Sequence, residues 1–372
     1  MKRIEALGVR RVVNASATLT RLGGSLMPPE VLEAMRDAAD AWVDLEEFQG
    51  AVAEEIARRT RNEAAMVVTG AAAGICLAVA ACIVGDDPAA RDRLPDTTGM
   101  KRDVVVYRSH RNGYAVAARM TGARLVEVGD ASGGTIAELE SALGPDTACV
   151  LWFQGAMTDR GEPNLDETIS AARRAGVPVL VDAAAQLPPA ENLWAFTQAG
   201  ADLAIFSGGK DLRGPQASGL VVGRRALIER MLPLASPHSA IGRPMKVGKE
   251  ETAGLLAAIE RYLSLDHAAL RRREEAIVAR WCAALADLPG MEIARDWPNE
   301  AGQPSPRARI APIRGAGFAP AALVDRLWAR DPRIAVGFEA DQIYLNPMTV
   351  EDAEVDLVTE AVRVEWGALH AG

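Results

Sequence analysis

The chain has 372 residues, 49% hydrophobic and 24% charged, with 41 basic against 50 acidic side chains and a net charge of −9. That length holds about two domains around a sizeable core. The composition is that of a soluble globular protein, and the acidic balance argues against a broad nucleic-acid-binding surface.

The N-terminus, Met1-Lys-Arg-Ile-Glu5, lacks the apolar core of a signal peptide, so a cytoplasmic location is expected. Residues 1–60 read as an arm and two helices, with Pro28-Pro29 opening the first. From Ala64 to Gly85 the chain carries no charge and is long enough to span a bilayer. Thr69-Gly70 interrupts it, however, and Ala, Gly and Val dominate it. It therefore reads as a buried strand, a tight turn and a buried helix, and no membrane span is expected.

Apolar runs follow at Val104–Tyr107, Arg124–Val128, Ala148–Trp152, Val177–Val181, Asp202–Phe206 and Gly219–Val222. With Ala65–Val68 they make seven, several without polar alternation, the pattern of strands buried on both faces. Helical stretches such as Gly113–Thr121, Thr135–Leu143 and Asp166–Ala175 separate them. Alternation of this kind predicts an α/β domain, a mostly parallel seven-stranded sheet with helices on both faces. Only a short loop separates the last two runs, which predicts an antiparallel final strand. Beyond Arg225 comes a long charged helical stretch, Glu250–Leu288, and then strand candidates near Met291–Ala294, Arg307–Ile313, Ile334–Phe338 and Gln342–Leu345 before a last helix from Val350. The expected division is an arm and helices at 1–60, a large domain at 61–245, and a linking helix with a small α/β C-terminal domain at 246–372.

The chemistry centres on Ser207-Gly-Gly-Lys210-Asp-Leu-Arg-Gly214-Pro215-Gln216. A lysine at the end of a buried strand is costly unless paired or deprotonated. A nucleotide phosphate loop is excluded, since Asp211 stands where Ser or Thr is required. Asp182 closes the run Val177–Val181 at another strand end, where open α/β sheets place their sites. A Schiff-base lysine and an aspartate that pairs with a pyridinium nitrogen are the anchors of a pyridoxal phosphate site. Around them, Thr69-Gly70-Ala71-Ala72 offers a helix N-terminus to a phosphate, with Ser207 as a second candidate. Ala184 is small enough to let a ring lie flat, Gln186 is placed to reach a ring hydroxyl, and His110 can stack on the ring. Arg243 and Lys246, with Asn14 and Thr18, are the substrate-binding candidates, and Arg160, Arg21 and Arg309 are further cations to consider. The four cysteines and four histidines are scattered without ligand spacing, so no metal is expected.

Val13-Asn14-Ala15, Leu45-Glu46, Val181-Asp182-Ala-Ala-Ala-Gln186-Leu-Pro-Pro189 and above all the Lys210 loop resemble the fold-type I pyridoxal phosphate enzymes. The nearer likeness is to the bacterial selenocysteine synthase (seryl-tRNA selenium transferase) group and its short relatives, over residues 10 to about 260. The Lys-x-x-x-Gly-Pro-Gln spacing carries it. The resemblance implies pyridoxal 5′-phosphate, Lys210 as its aldimine lysine, Asp182 as its pyridinium partner, and a homodimer or larger homo-oligomer with sites at the interface. The Asn-Ala motif begins at Asn14, so the group's tRNA-binding domain is not expected, and a nucleic-acid partner becomes improbable.

The expected activity is α,β-elimination of the ammonia-lyase type on a small 2-amino-3-hydroxy acid, sugar amino acid phosphates included. Aldol cleavage, racemisation and transamination need the same two anchors and stay open. A selenocysteine synthase-like transferase, and a non-catalytic binding protein on this fold, are the remaining alternatives.

Overall fold

The computed structural model describes residues 2–313 and 319–370. In chain order its strands are β1 (Val12–Ala15), β2 (Ala64–Val68), β3 (Asp103–Tyr107), β4 (Arg124–Val128), β5 (Thr147–Phe153) and β6 (Val179–Asp182). They continue with β7 (Leu203–Ser207), β8 (Gly219–Gly223), β9 (Met291–Asp296), β10 (Arg307–Pro312), β11 (Arg333–Glu339) and β12 (Gln342–Leu345).

The chain forms two compact units, Met27–Leu265 and Met1–Leu26 with Asp266–Gly372. In the first, seven strands lie in the order β2-β8-β7-β6-β5-β3-β4. Neighbours from β4 through β7 are parallel. β8 runs antiparallel to both β7 and β2, as the short loop before it predicts. β-branched runs such as Val104-Val105-Val106 are fully covered because helices lie on both faces.

The uncharged segment from Ala64 folds as β2, a turn at Thr69-Gly70, and the helix Ala71–Val84, buried on nearly every side. Gly74 explains how that helix lies so close to the sheet: a Cβ there would fall 2.9 Å from the Ile205 side chain. Among the described residues no helix is long and apolar enough to cross a membrane. Flanking helices start where side chains supply caps. Thr135 with Glu138, and Asn164 with Glu167, form reciprocal capping boxes.

Two boundaries differ from the sequence expectation. The helices Pro29–Ala39 and Leu45–Arg59, placed with the arm, fold with the large unit, where Arg59 pairs with Glu260 at 2.6 Å. The linking stretch is two helices, Lys249–Ser264 and His267–Leu285, and the chain passes between units where they part. Asp266 starts the second helix by accepting the Ala269 N–H.

The other unit is a five-stranded sheet, β1-β11-β12-β10-β9, with β1 parallel to β11 and the rest antiparallel. Its core holds the fully buried Trp281 and Trp366.

Candidate active site

Parallel strands leave their C-terminal ends at one edge of the sheet, and Asp182, Ser207 and Tyr107 are the last residues of three of them. Asp182 stands in register with Phe153 and Ile205. It is 7% exposed, and its Oδ1 accepts the Ala184 N–H at 3.0 Å. Burial raises its carboxyl above the ordinary range, against the Ala184 bond and the charge of Lys210. Burial pulls the Lys210 ammonium the other way, below the usual lysine range, and Asp182 opposes it. The two groups thus face each other electrostatically, and each is ill at ease in its charged form.

The Lys210 loop is a tight hairpin between β7 and β8. Gly208 N–H donates to Ser218 O at 2.9 Å, Gly214 N–H to Gly208 O at 2.8 Å and Arg213 N–H to Lys210 O at 2.9 Å. Two glycines make this possible. A Cβ at Gly208 would lie 2.0 Å from Ser218 Oγ, and one at Gly209 would lie 2.6 Å from the Gln216 backbone. Tyr262 on the helix Lys249–Ser264 donates its hydroxyl to Asp211 at 2.7 Å, fastening the loop from below. Ser207 N–H reaches Ala184 O at 3.4 Å, joining the lysine loop to the aspartate loop.

The proposed phosphate turn sits beside it. Gly70 caps the helix Ala71–Val84 with φ +87° and no side-chain cap, so the first helical N–H groups have no side-chain acceptor from the cap residue. Gly219 lies against it, since a Cβ there would be 2.5 Å from the Gly70 carbonyl carbon. The Thr69 hydroxyl donates to Ala217 O at 3.4 Å, linking the turn to the lysine loop. Ala71 is buried and Ala72 exposed, while Ala184 is half-buried and Gln186 buried beside Asp182.

His110 follows β3 in a short 3-10 turn and is fully buried. It does not present an open face: its ring meets Trp152 edge-on at 4.5 Å and Tyr107 at 5.6 Å. Its Nε2 lies 3.3 Å from Glu162, a carboxylate that sequence reasoning missed. Arg243 and Lys246 are exposed on the connection before the helix Lys249–Ser264, and neither side chain has a hydrogen-bond or ion-pair partner among the described residues. Nearby Met245 and Val247 line a cavity of about 410 Å³ with β2 and the helix Leu45–Arg59. Arg160 is exposed as well.

Asn14 and Thr18 belong to the other unit. There the Asn14 amide is engaged in its own turn, accepting from Ser16 N–H at 3.0 Å and donating to Ala17 O at 2.8 Å. In the same unit Arg21 covers the Trp328 ring at 5.3 Å and Arg309 pairs with Glu292 at 3.2 Å.

These residues fit a pyridoxal phosphate group. A buried carboxyl suits a cationic ring nitrogen, a lysine with a lowered pKa suits an aldehyde, and bare helix N–H groups suit a phosphate. Fold and site together define a pyridoxal phosphate-dependent enzyme of fold type I. The chain belongs to the L-seryl-tRNA selenium transferase family, whose model matches residues 12–274.

It is 32% identical over 371 residues to a D-glucosaminate-6-phosphate ammonia lyase of Salmonella typhimurium, covering 96% of both chains. A solved D-glucosaminate-6-phosphate ammonia-lyase superposes with a TM-score of 0.83 at 30% identity, covering 98% of both chains. A 5′-C-glycyluridine monooxygenase-decarboxylase of a Streptomyces species is 36% identical over 337 residues, 88% of this chain and 82% of the relative.

Proposed function

We propose that the protein is an ammonia-lyase acting on a small phosphorylated 2-amino-3-hydroxy acid. The full-length likeness to a sugar amino acid phosphate lyase carries the reading, because Lys210 and Asp182 alone serve several reactions equally. Bound, the cofactor supplies a sink for the electron pair left when a substrate α-proton departs. Lys210 would hold the cofactor through its aldehyde, and burial, which draws its pKa below the ordinary lysine range, would suit its amine to taking a proton from the substrate α-carbon. Asp182 keeps the ring nitrogen protonated. Thr69, Gly70, Ala71, Ala72 and Ser207 hold the phosphate, Ala184 and His110 border the ring, and Gln186 meets its hydroxyl. Arg243 and Lys246, cations without partners among the described residues, serve the substrate's anionic groups.

The chain works as a homodimer or larger homo-oligomer in the cytoplasm. Trp42, wholly exposed beside the half-exposed Val43, supports a covering second copy. Light scattering of the purified protein tests the assembly.

The activity is tested with D-glucosaminate 6-phosphate and a panel of serine-like acids, assayed for 2-oxo acid and ammonia without an acceptor. Product formed only when a 2-oxo acid acceptor is added would replace elimination by transamination. The 36% identity to a monooxygenase-decarboxylase favours a second reading, an oxygen-consuming decarboxylation. Dissolved-oxygen uptake during turnover separates the two.

A further inference from the structure

The loop after β5 is built with unusual care for a surface turn. Asp159 and Gly161 both have positive φ, +63° and +113°. Gly161 fits against the turn after β4 so closely that a Cβ would lie 2.5 Å from Ser132 O, and a Cβ on Gly133 would lie 2.3 Å from the Gly161 backbone. For the non-glycine Asp159 such a conformation persists only where the surroundings over-determine it. What the loop holds in place is the side chain of Glu162, 1% exposed.

That carboxylate collects four donors. Asp159 N–H lies at 2.7 Å, Arg160 N–H at 3.3 Å, Ser109 Oγ at 3.1 Å and His110 Nε2 at 3.3 Å. Burial works to raise its pKa, but its own backbone N–H, His110 and Ser109 outweigh it and hold the carboxyl below its ordinary range, so the group is ionised. An ionised carboxylate only accepts, so the hydrogen must sit on Nε2 of His110. Burial also lowers the pKa of His110, with Glu162 and Asp159 opposing it and Arg160 reinforcing it. The ring is therefore neutral, and its Nδ1 is a bare acceptor. That atom is buried and has no hydrogen-bond partner among the described residues.

We propose that Glu162 is a positioning residue for His110. Held by its loop, it locks the imidazole in the Nε2–H tautomer and leaves the buried Nδ1 as the free acceptor, available to a hydroxyl or other donor of a ligand that enters at the C-terminal ends of β3 and β5. This rests on the reading that the pyridoxal phosphate site lies there. The arrangement follows the logic by which a buried carboxylate orients a working histidine.

Nitrogen-15 spectra of the cofactor-free protein labelled on histidine test the tautomer directly, with His110→Gln assigning the signal. A single neutral Nε2–H form is expected near pH 7, and an Nδ1–H form or an imidazolium would overturn the proposal with no other variant needed. In Glu162→Gln, which keeps the side chain's shape, that form should give way to a mixture; an unchanged signal in the folded variant refutes the lock. The site connection has its own readout. With pyridoxal phosphate added, the pH midpoint of the cofactor's visible band should differ between Glu162→Gln and wild type, and kcat should fall about 10- to 100-fold with KM little changed. An unchanged midpoint would sever Glu162 from the site, whereas failure of wild type to bind cofactor would strike the reading of Lys210 instead.

Discussion

Tyr262 donates its hydroxyl to Asp211, the residue after Lys210, at 2.7 Å. A helix at the end of the large unit thereby sets the posture of the loop that carries Lys210. Tyr262 is 1% exposed whereas Asp211 is half-buried, so water replaces part of what the bond supplies. Tyr262→Phe should cost about 1.5–3 kcal/mol, the range for a bond to a charged group. Thermal unfolding measures it, and an unchanged melting temperature would show that the bond does not brace the loop.

Lys210→Ala removes the group proposed to bond the cofactor and take the proton. The variant should fold, lose the visible absorption that wild type gains with pyridoxal phosphate, and lose roughly 10²–10⁴-fold or more in turnover. Retained colour would place the reactive amine elsewhere.

Asp182 gives a pH-dependent outcome. Its folded pKa is raised, so the folded cofactor-free protein holds this proton more tightly than the unfolded chain. Its contribution therefore favours folding at low pH and is lost as pH rises through the raised value. Asp182→Asn removes that cost. Without cofactor it should be more stable than wild type at pH 8 by about 1 kcal/mol, with the gain vanishing on acidification, while cofactor binding weakens. Paired melting curves across pH decide it, and a gain that grows towards acid would reverse the assignment.

The Gly208 site tests the hairpin. Gly208→Ala should destabilise by about 1–3 kcal/mol through overpacking against Ser218 and Leu255. The nearest atom is the Ser218 hydroxyl at 2.0 Å, so Ser218→Ala should relieve part of that loss. A double-mutant cycle reads the coupling, and simple additivity would mean that the close approach is tolerated.

The large sheet was legible because it is written in runs of apolar residues that need no long-range information. The antiparallel β8 and the strand, turn and helix within Ala64–Gly85 followed from loop length and from one Thr-Gly break. The unit boundary was less visible. Charged helical residues run through the Ser264–His267 junction with similar composition, and only the Asp266 cap marks it. Which unit the helices Pro29–Ala39 and Leu45–Arg59 join is decided by packing against Lys249–Ser264, distant in sequence. At the site, Lys210 and Asp182 could be picked out as candidates from their position at strand ends. Glu162 could not, because Asp159-Arg-Gly-Glu162 has the composition of a solvated turn, and its inward placement also depends on donors from a loop about fifty residues earlier. The closed surroundings of His110 were hidden for the same reason: Trp152 comes from a different strand.

Gly219 stands opposite Val68 on one side and Ser207 on the other. One strand therefore separates the chain entering the Thr69-Gly70 turn from the chain entering the lysine loop, a gap of two strand spacings or about 10 Å. That gap is a ruler made of backbone. A ligand gripped at both ends must match it, and side-chain changes around the site cannot alter it. Substrate preference can drift with the loops while the span demanded of the cofactor stays constant.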